Sequence, residues 1–191
     1  MSRQGGSVLL PQRVTSNTAV RLGRSFPLPV GFKGAAEFSE DGAYRWWLSR
    51  TWDERKPWLI TIATNPSSAG AAVDDGTIRV LEGLAARAGF GQLKMLNAYA
   101  LVSTERRALQ EAQDPIGERT DDLIRATLAG TTTRDGVLCA WGAITPARHQ
   151  ALRSMVFGAA ACRARAYCLG TLHSGYPRHP LRTKLQLLPY A

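Results

Sequence analysis

The chain has 191 residues, of which 45% are apolar and 20% charged, so we expect one globular domain with a substantial core. No run of 18 apolar residues and no apolar segment near the start are present, so neither a membrane span nor a secretory signal is expected. The odd count of three cysteines, without a Cys-x-x-Cys pair, argues against a disulfide framework. We therefore expect a cytoplasmic protein.

The formal net charge of +9 is distributed unevenly. All 15 acidic residues lie between Glu37 and Asp135, whereas residues 1–36 carry five basic side chains and residues 136–191 carry seven. Twenty of the 24 basic residues are arginine, which pairs with phosphate through a bidentate fork. A GC-rich genome would also favour arginine, but it does not explain a long segment without acids. The distribution therefore indicates a phosphate-rich partner.

Residues 1–36 mix Gly, Ser, Thr, Arg and three prolines without a sustained period, which predicts an extended, partly disordered basic arm. Residues 37–191 form the predicted domain. The alternation of side chains after Asp41-Gly42 predicts a hairpin ahead of the core sheet, although the aromatic residues there also fit one side of a helix.

Four apolar segments have the length and flanking residues of buried strands, and the segments between them have helical spacing. The strands are predicted at 58–63, 93–98, 137–142 and 164–170, and the helices at 78–88, 119–129 and 146–160. This alternation predicts an α/β fold, a three-layer sandwich with a central four-stranded parallel sheet. Because parallel strands end at one edge, the residues that follow them are expected to meet there.

Five motifs occur in order: Asn65-Pro66-Ser67, Asp74-Asp75-x-Thr77, Asn97, Ala140-Trp141-Gly142 and Pro177-x-His179-Pro180-Leu181. With them, residues 38–185 resemble a bacterial and phage family of unknown function. More distantly, the layout resembles the α/β-fold uracil-DNA glycosylase superfamily. In that superfamily one strand ends in a loop that holds the attacking water, a second ends in an asparagine that reads the base, and a late loop enters the duplex.

The resemblance implies catalytic roles by position. Asn65 would orient the water, and His179 would stabilise the base as it leaves with a negative charge. Asp74 or Asp75 could supply a carboxylate, although Asp75 also fits the N-cap of the following helix, where Thr77 competes with it. For His179 the structural alternative is a loop histidine bound by backbone groups.

The same resemblance implies the binding residues. Those expected to hold the base are Pro66, Ser67, Asn97, Trp141 and Gly142, with core packing as the alternative for Trp141. Those expected to contact DNA are Tyr176, Arg178, Leu181, Arg182 and Lys184, with Leu181 filling the gap left by a flipped base. Cofactors are not expected, and His173 with Cys168 gives only two of the ligands that a metal site needs.

Two departures from the superfamily pattern bear on the substrate. Ser67 stands where uracil enzymes carry a tyrosine that blocks bases with a 5-substituent, and the loop continues with small residues as far as Ala72. The stacking phenylalanine of the superfamily has no counterpart near this loop. The resemblance therefore implies a roomier pocket and a bulky modified pyrimidine as substrate.

These observations predict a monomeric DNA glycosylase that removes a modified or damaged base from double-stranded DNA, in repair or in defence against phage. One alternative is a nucleotide or nucleoside hydrolase or transferase on free substrate, which would not need basic ends. The other is a non-catalytic nucleic-acid-binding accessory protein, which would not need Asn65, Asn97 and His179 to converge.

Overall fold

The computed structural model describes residues 25–158, 162–181 and 185–191. These residues form nine β-strands and four α-helices. The strands are β1 (Phe26–Pro27), β2 (Lys33–Phe38), β3 (Arg45–Thr51), β4 (Trp58–Ala63), β5 (Val73–Asp74), β6 (Gln92–Asn97), β7 (Gly136–Ala140), β8 (Arg165–Cys168) and β9 (Leu188–Pro189). The helices are α1 (Gly76–Arg87), α2 (Arg106–Glu111), α3 (Thr120–Ala129) and α4 (Pro146–Phe157).

Seven strands form one mixed sheet in the order β2-β3-β6-β4-β7-β8-β9. The four predicted strands, β4, β6, β7 and β8, run parallel to one another in its centre. The α/β class is thus correct, and the four predicted strands are parallel. The prediction that they form the whole sheet is wrong, because the sheet is mixed and has seven strands. Both edges of the parallel group are extended by antiparallel partners, β3 beside β6 and β9 beside β8, which pair backbone groups that an edge strand would leave open.

The predicted hairpin is present and is part of this sheet. Strands β2 and β3 pair antiparallel, and the connection turns at Gly42, whose φ of 74° lies in the left-handed region that glycine tolerates. Strand β2 begins at Lys33, inside the segment predicted as an arm. Residues 1–24 of the predicted arm lie outside the described residues.

Helices cover both faces of the sheet. Helix α1 packs on one face through Ile78, Leu81 and Ala85, which have the spacing of one helical side. Helices α3 and α4 pack on the other face, where Ile124 and Leu152 are fully buried. The central strands are therefore covered on both sides and read as continuous apolar runs, as buried parallel strands do.

Two features absent from the sequence prediction flank the edge where the parallel strands end. Helix α2 lies in the connection between β6 and α3, and β1 pairs with β5 in a small two-stranded ribbon beside the start of α1. Among the described residues, none of the helices has the length and apolar content needed to cross a bilayer.

Candidate functional site

A cleft lies at the edge where the parallel strands end, and it contains two adjoining cavities. The small cavity, of about 660 Å³, lies beside the loop after β4 and the start of α1. The large cavity, of about 1050 Å³, lies between the start of α4 and residues 103–116. Both are lined by Asn65, Ser103, Thr104 and His179. The two predicted residues Asn65 and His179 therefore stand where the cavities meet.

Asn65 follows β4 by two residues, and its side-chain amide is held in one orientation. Its Nδ2 donates to the backbone oxygens of Pro66 at 2.9 Å and Ser103 at 2.7 Å. Because both amide hydrogens are directed at carbonyl groups, the oxygen and nitrogen cannot exchange places without losing two hydrogen bonds. Within the described part of the chain, Oδ1 accepts no hydrogen bond, so Asn65 offers an acceptor at the cleft.

Asn97 ends β6 and lines the small cavity, although only 3% of it is exposed. Its Oδ1 accepts a hydrogen bond from Nη2 of Arg45 at 3.1 Å. Its Nδ2 is buried and has no hydrogen-bond partner among the described residues. Since a buried donor without a partner costs about 1–3 kcal/mol, Asn97 has a donor available for an acceptor in the small cavity.

Arg45 places a buried positive charge behind Asn97. It begins β3, which pairs antiparallel with β6, so its side chain meets the carboxyl end of β6. Only 2% of Arg45 is exposed, and its Nη1 donates to the carbonyl of Ala69 at 3.0 Å. Burial lowers the pKa of Arg45 to about 10, partly opposed by the charge of Asp75. The guanidinium is therefore still charged at neutral pH.

His179 lies in the loop after β8 and is partly buried. Its Nδ1 accepts the backbone N–H of Leu181 at 3.3 Å, which assigns the ring hydrogen to Nε2. Burial lowers the pKa of His179 below its usual value, and the charge of Asp75 opposes this shift more weakly. At neutral pH His179 is therefore uncharged and able to donate from Nε2.

Asp75 lies both at a helix end and in the cleft. Its Oδ1 accepts the N–H groups of Thr77 and Ile78, each at 2.9 Å, so it is the N-cap of α1 as the structural alternative predicted. It also lines the small cavity, and its charge acts on both His179 and Arg45. A carboxylate therefore faces the cleft at this point.

Asp74 does not reach the cleft. Its side chain is fully buried, with Oδ1 2.7 Å from Nε of Arg50. This carboxylate lies between the guanidinium groups of Arg50 and Arg79 and lines neither cavity, so it is not available to a water there. Asp74 therefore has a structural role, contrary to the catalytic role that the resemblance implied.

The small-residue loop after β4 forms one wall of the small cavity. Ser67 and Ser68 both line it, and Oγ of Ser68 is buried without a partner among the described residues. Pro66 is buried and lines neither cavity; its backbone oxygen accepts from Asn65 and from the N–H of Ser103. Pro66 therefore shapes the loop, and Ser67 is the residue that faces the space.

Trp141 is fully buried, and its Nε1 donates to Nδ1 of His149 at 3.1 Å. It packs beneath α4 because β7 is a central strand with both faces covered, so its predicted contact with a base is wrong. Gly142 does line the large cavity. Its φ is 65°, and its N–H donates to the carbonyl of Pro177 at 2.9 Å, which ties the loop of His179 to the end of β7.

The other residues of the late loop have different surroundings. Tyr176 stacks on His149, with ring centroids 3.9 Å apart, and so holds the loop against α4. Arg178 is exposed, and its Nε donates to the carbonyl of Thr171 at 3.0 Å. Leu181 is 48% exposed and lines the small cavity. Two predicted DNA contacts lie outside the described residues: Arg182 and Lys184.

The sequence prediction missed Arg45 and the segment 103–104. The sequence around Arg45 did contain a signal, because arginines stand there among tryptophans and a leucine in a predicted strand. An arginine buried in such a strand needs hydrogen-bond acceptors from neighbouring segments. The segment 103–104 gave no comparable signal, because Ser103 contributes its backbone. No three His, Cys, Asp or Glu side chains in the described ranges are placed to hold a metal ion.

The fold and the cleft define an α/β domain with a polar site at the carboxyl edge of parallel strands. The family described as "Protein of unknown function (DUF1643)" matches residues 45–181, which is most of the chain, so the protein belongs to that family. The match covers the hairpin strand β3, the whole parallel group and the loop of His179. Searches of curated proteins and of solved structures gave no match. The resemblance to uracil-DNA glycosylases therefore stays a prediction.

Proposed function

We propose that the protein is a DNA glycosylase that hydrolyses the N-glycosidic bond of a flipped-out modified or damaged base and leaves an abasic site. The convergence of Asn65, Asn97 and His179 on the small cavity carries this proposal. The three residues belong to separate loops and strand ends, and each offers a polar group of a different kind. This is the set that bond cleavage with an anionic leaving group requires.

The base leaves with a negative charge, and three groups of the small cavity oppose it. Nδ2 of Asn97 and Nε2–H of His179 donate to the base. Arg45 binds the oxygen of the Asn97 amide, so its charge polarises that amide and strengthens the donor on the other side. Because Asn97 and Arg45 are buried, His179 is partly buried, and all three are already oriented by hydrogen bonds, they stabilise charge more strongly than water would.

Hydrolysis also needs a water held at the sugar, which acquires oxocarbenium character as the bond breaks. The fixed Oδ1 of Asn65 accepts a hydrogen bond from this water, and the carboxylate of Asp75 offsets the positive charge on the sugar. As the water oxygen bonds to the sugar carbon and the base leaves with the electron pair of the broken bond, Asp75 takes the proton that the water loses. Such general-base assistance is worth about 10²–10⁴ in rate. Asp75 performs this while its Oδ1 caps α1, since a carboxylate accepts several hydrogen bonds.

A base in duplex DNA must leave the stack before it reaches a cavity, which costs a few kcal/mol. The exposed Leu181 beside the small cavity would occupy the space left in the duplex. Arg178, together with Arg182 and Lys184, would hold the phosphates around it. We propose that one copy of the chain acts on double-stranded DNA.

The test is an abasic-site assay on labelled duplexes containing canonical bases, uracil, or 5-hydroxymethylated and glucosylated pyrimidines, followed by alkali. We expect strand breaks at a modified base. Asn65→Ala and His179→Ala should each lower the excision rate by about 10²-fold or more. The matched control is His173→Ala, because His173 is exposed on the same loop and lines neither cavity.

Two outcomes would overturn the proposal. One is turnover of free nucleotides or nucleosides without strand breaks, which would make the protein a hydrolase or transferase of small substrates. The other is a gel shift without breaks on any duplex, which would make it a binding protein. Equal activity of His179→Ala and His173→Ala would remove His179 from the mechanism.

A further inference from the structure

The proposed excision mechanism uses the small cavity and leaves the large cavity without a ligand. It adjoins the small cavity at Asn65 and His179, and its volume of about 1050 Å³ is that of a site for a sizeable ligand. Its other walls come from α2, the residues before α3, and the first turns of α4. A group attached to a base in the small cavity would meet this space at the shared wall.

A buried cation faces the large cavity with one donor unused. Arg148 of α4 is 4% exposed, and its Nη1 lies 2.6 Å from Oδ1 of Asp121 while its Nε donates to the carbonyl of Ala98 at 2.7 Å. Its Nη2 is buried without a hydrogen-bond partner among the described residues. A ligand oxygen in this cavity would give that donor an acceptor.

The charges of the lining limit what kind of oxygen that is. Among the lining side chains that the structure describes, Glu105 and Asp121 carry two negative charges against the one positive charge of Arg148, so a phosphate or carboxylate would be repelled. The remaining wall combines apolar side chains such as Ile144 with uncharged polar ones such as Gln110 and Thr145. Carboxylates, a guanidinium with a free donor and apolar patches together suit a neutral group that carries several hydroxyls.

We propose that the large cavity binds a neutral sugar carried by the base that the small cavity holds. The proposal rests on the function proposed above and specifies its substrate as a glycosylated base. Hydroxyls of the sugar accept from Nη2 of Arg148 and donate to the carboxylates of Asp121 and Glu105. The small side chains of Ser67 and Ser68 leave room for the base to carry such a group.

The experiment fills the large cavity without touching the small one. Ala147 is exposed on the first turn of α4 and lines only the large cavity, so Ala147→Phe narrows it. Gln110→Trp narrows it from the opposite wall, and serves if Ala147→Phe does not fold. Gln150→Phe is the matched control, since Gln150 is exposed on α4 and lines neither cavity.

The probes are 5-hydroxymethyl-2′-deoxyuridine with and without a glucose on its hydroxymethyl group, used as free nucleosides for calorimetry and within a duplex for excision. We expect the unsubstituted protein to prefer the glucosylated form. Either filling variant should reduce that preference at least tenfold, in dissociation constant and in excision rate, and Gln150→Phe should leave it unchanged.

Binding and excision separate this inference from the proposed function. A glucose preference that the filling variants abolish, without any excision, would support the sugar site and overturn the glycosylase. Excision that the filling variants lower equally for both forms would overturn the sugar site, because the cavity would then hold the DNA strand. Equal binding of the two nucleosides by the unsubstituted protein would also overturn it.

Discussion

Strand β3 carries a buried arginine at each end, and the two have opposite surroundings. Arg50 is fully buried against the carboxylate of Asp74 at 2.7 Å, with Nη2 donating to the carbonyls of Gly70 and Val73. Arg45 is almost as buried but has an amide and a carbonyl as partners, and its Nε has none among the described residues. The charge of Arg50 is therefore neutralised by a carboxylate, whereas the charge of Arg45 is not and lies beside the cleft.

Arg50 belongs to a structural ion pair, whereas Arg45 is a cation whose charge remains available to the site. A buried arginine with a carboxylate contributes to the fold, and removing either partner leaves an uncompensated charge. A buried arginine bound only by neutral groups keeps its field for another group. Because Arg45 lies behind Asn97 at the small cavity, the group that benefits is a ligand there.

Among the substitutions considered, the largest effect is expected on stability, at the buried Arg50–Asp74 pair. Asp74→Asn should lower the free energy of unfolding by about 3–5 kcal/mol, because it removes the nearer carboxylate beside the fully buried Arg50. Chemical denaturation measures this. In the surviving folded protein, excision should be close to normal. Normal stability with lost excision would instead return Asp74 to the catalytic set.

The control for Asp74 is a charge removed from an exposed pair. Glu54 lies 2.6 Å from Lys33, and both side chains are largely exposed. Glu54→Gln should leave the free energy of unfolding nearly unchanged, because water screens the attraction within an exposed pair. A similar loss of stability in Glu54→Gln and Asp74→Asn would mean that burial does not increase the contribution of the Arg50–Asp74 pair to stability.

A smaller effect is expected from Glu82, which lies beside the same pair with Oε1 3.9 Å from Nε of Arg50. Burial and then the charge of Asp74 raise the pKa of Glu82 to about 7. Between its ordinary pKa and pH 7, the folded state therefore holds a proton that the unfolded state has lost. Stability should fall as the pH rises through this range, by up to about 3 kcal/mol.

Glu82→Gln has no proton to lose and should flatten that decline. Denaturation at pH 5 and at pH 8 should show similar stability for the two proteins at the lower pH and a more stable variant at the higher. Glu111→Gln, an exposed position on α2, should follow the unsubstituted protein. Parallel declines in all three proteins would place the pH dependence elsewhere.

The smallest effect is expected at the charged end. Arg45→Met keeps the volume but frees the Asn97 amide to rotate and removes the positive charge, so kcat/KM for excision should fall roughly 10- to 100-fold. Stability should fall less than in the corresponding variant of Arg50, because the buried groups that lose a partner, Oδ1 of Asn97 and the carbonyl of Ala69, are neutral. The abasic-site assay and thermal unfolding measure the two quantities.

Arg50→Met is the matched variant, since it replaces the other arginine of the same strand. It should lose stability, as the buried Asp74 then keeps only the partly exposed Arg79 as a cation. The dissociation constant for DNA should be unchanged in Arg45→Met, because Arg45 does not reach the surface. If Arg45→Met loses as much stability as Arg50→Met, then Arg45 stabilises the fold as Arg50 does, and the proposed difference between the two arginines is wrong.

The sequence was sufficient for the parts of the fold that depend on local pattern. The four parallel strands, the hairpin at Gly42 and the helices after β4 and before β8 follow from apolar runs, turn residues and helical spacing. It was not sufficient for the edges of the sheet. Strand β9 has only two residues, and the placement of β3 beside β6 depends on pairing between distant segments, which no local pattern encodes.

The same division applies to the site. Asn65, Asn97 and His179 could be placed together because each follows a parallel strand, and parallel strands end at one edge whatever their order. Trp141 could not be excluded in advance, because a residue at the end of a strand points into the core or the cleft according to the helix that covers it. Asp74 and Asp75 are adjacent in sequence, yet only the second lines the cleft.

By itself, the sequence determined which side chains stand at the ends of the parallel strands, because alternation of strands and helices fixes one common edge. Only the tertiary structure decided which of them keep a free polar group. That choice depends on partners far away in the chain: Arg45 takes the oxygen of Asn97, Ser103 takes the amide of Asn65, and Arg50 removes Asp74 from the cleft.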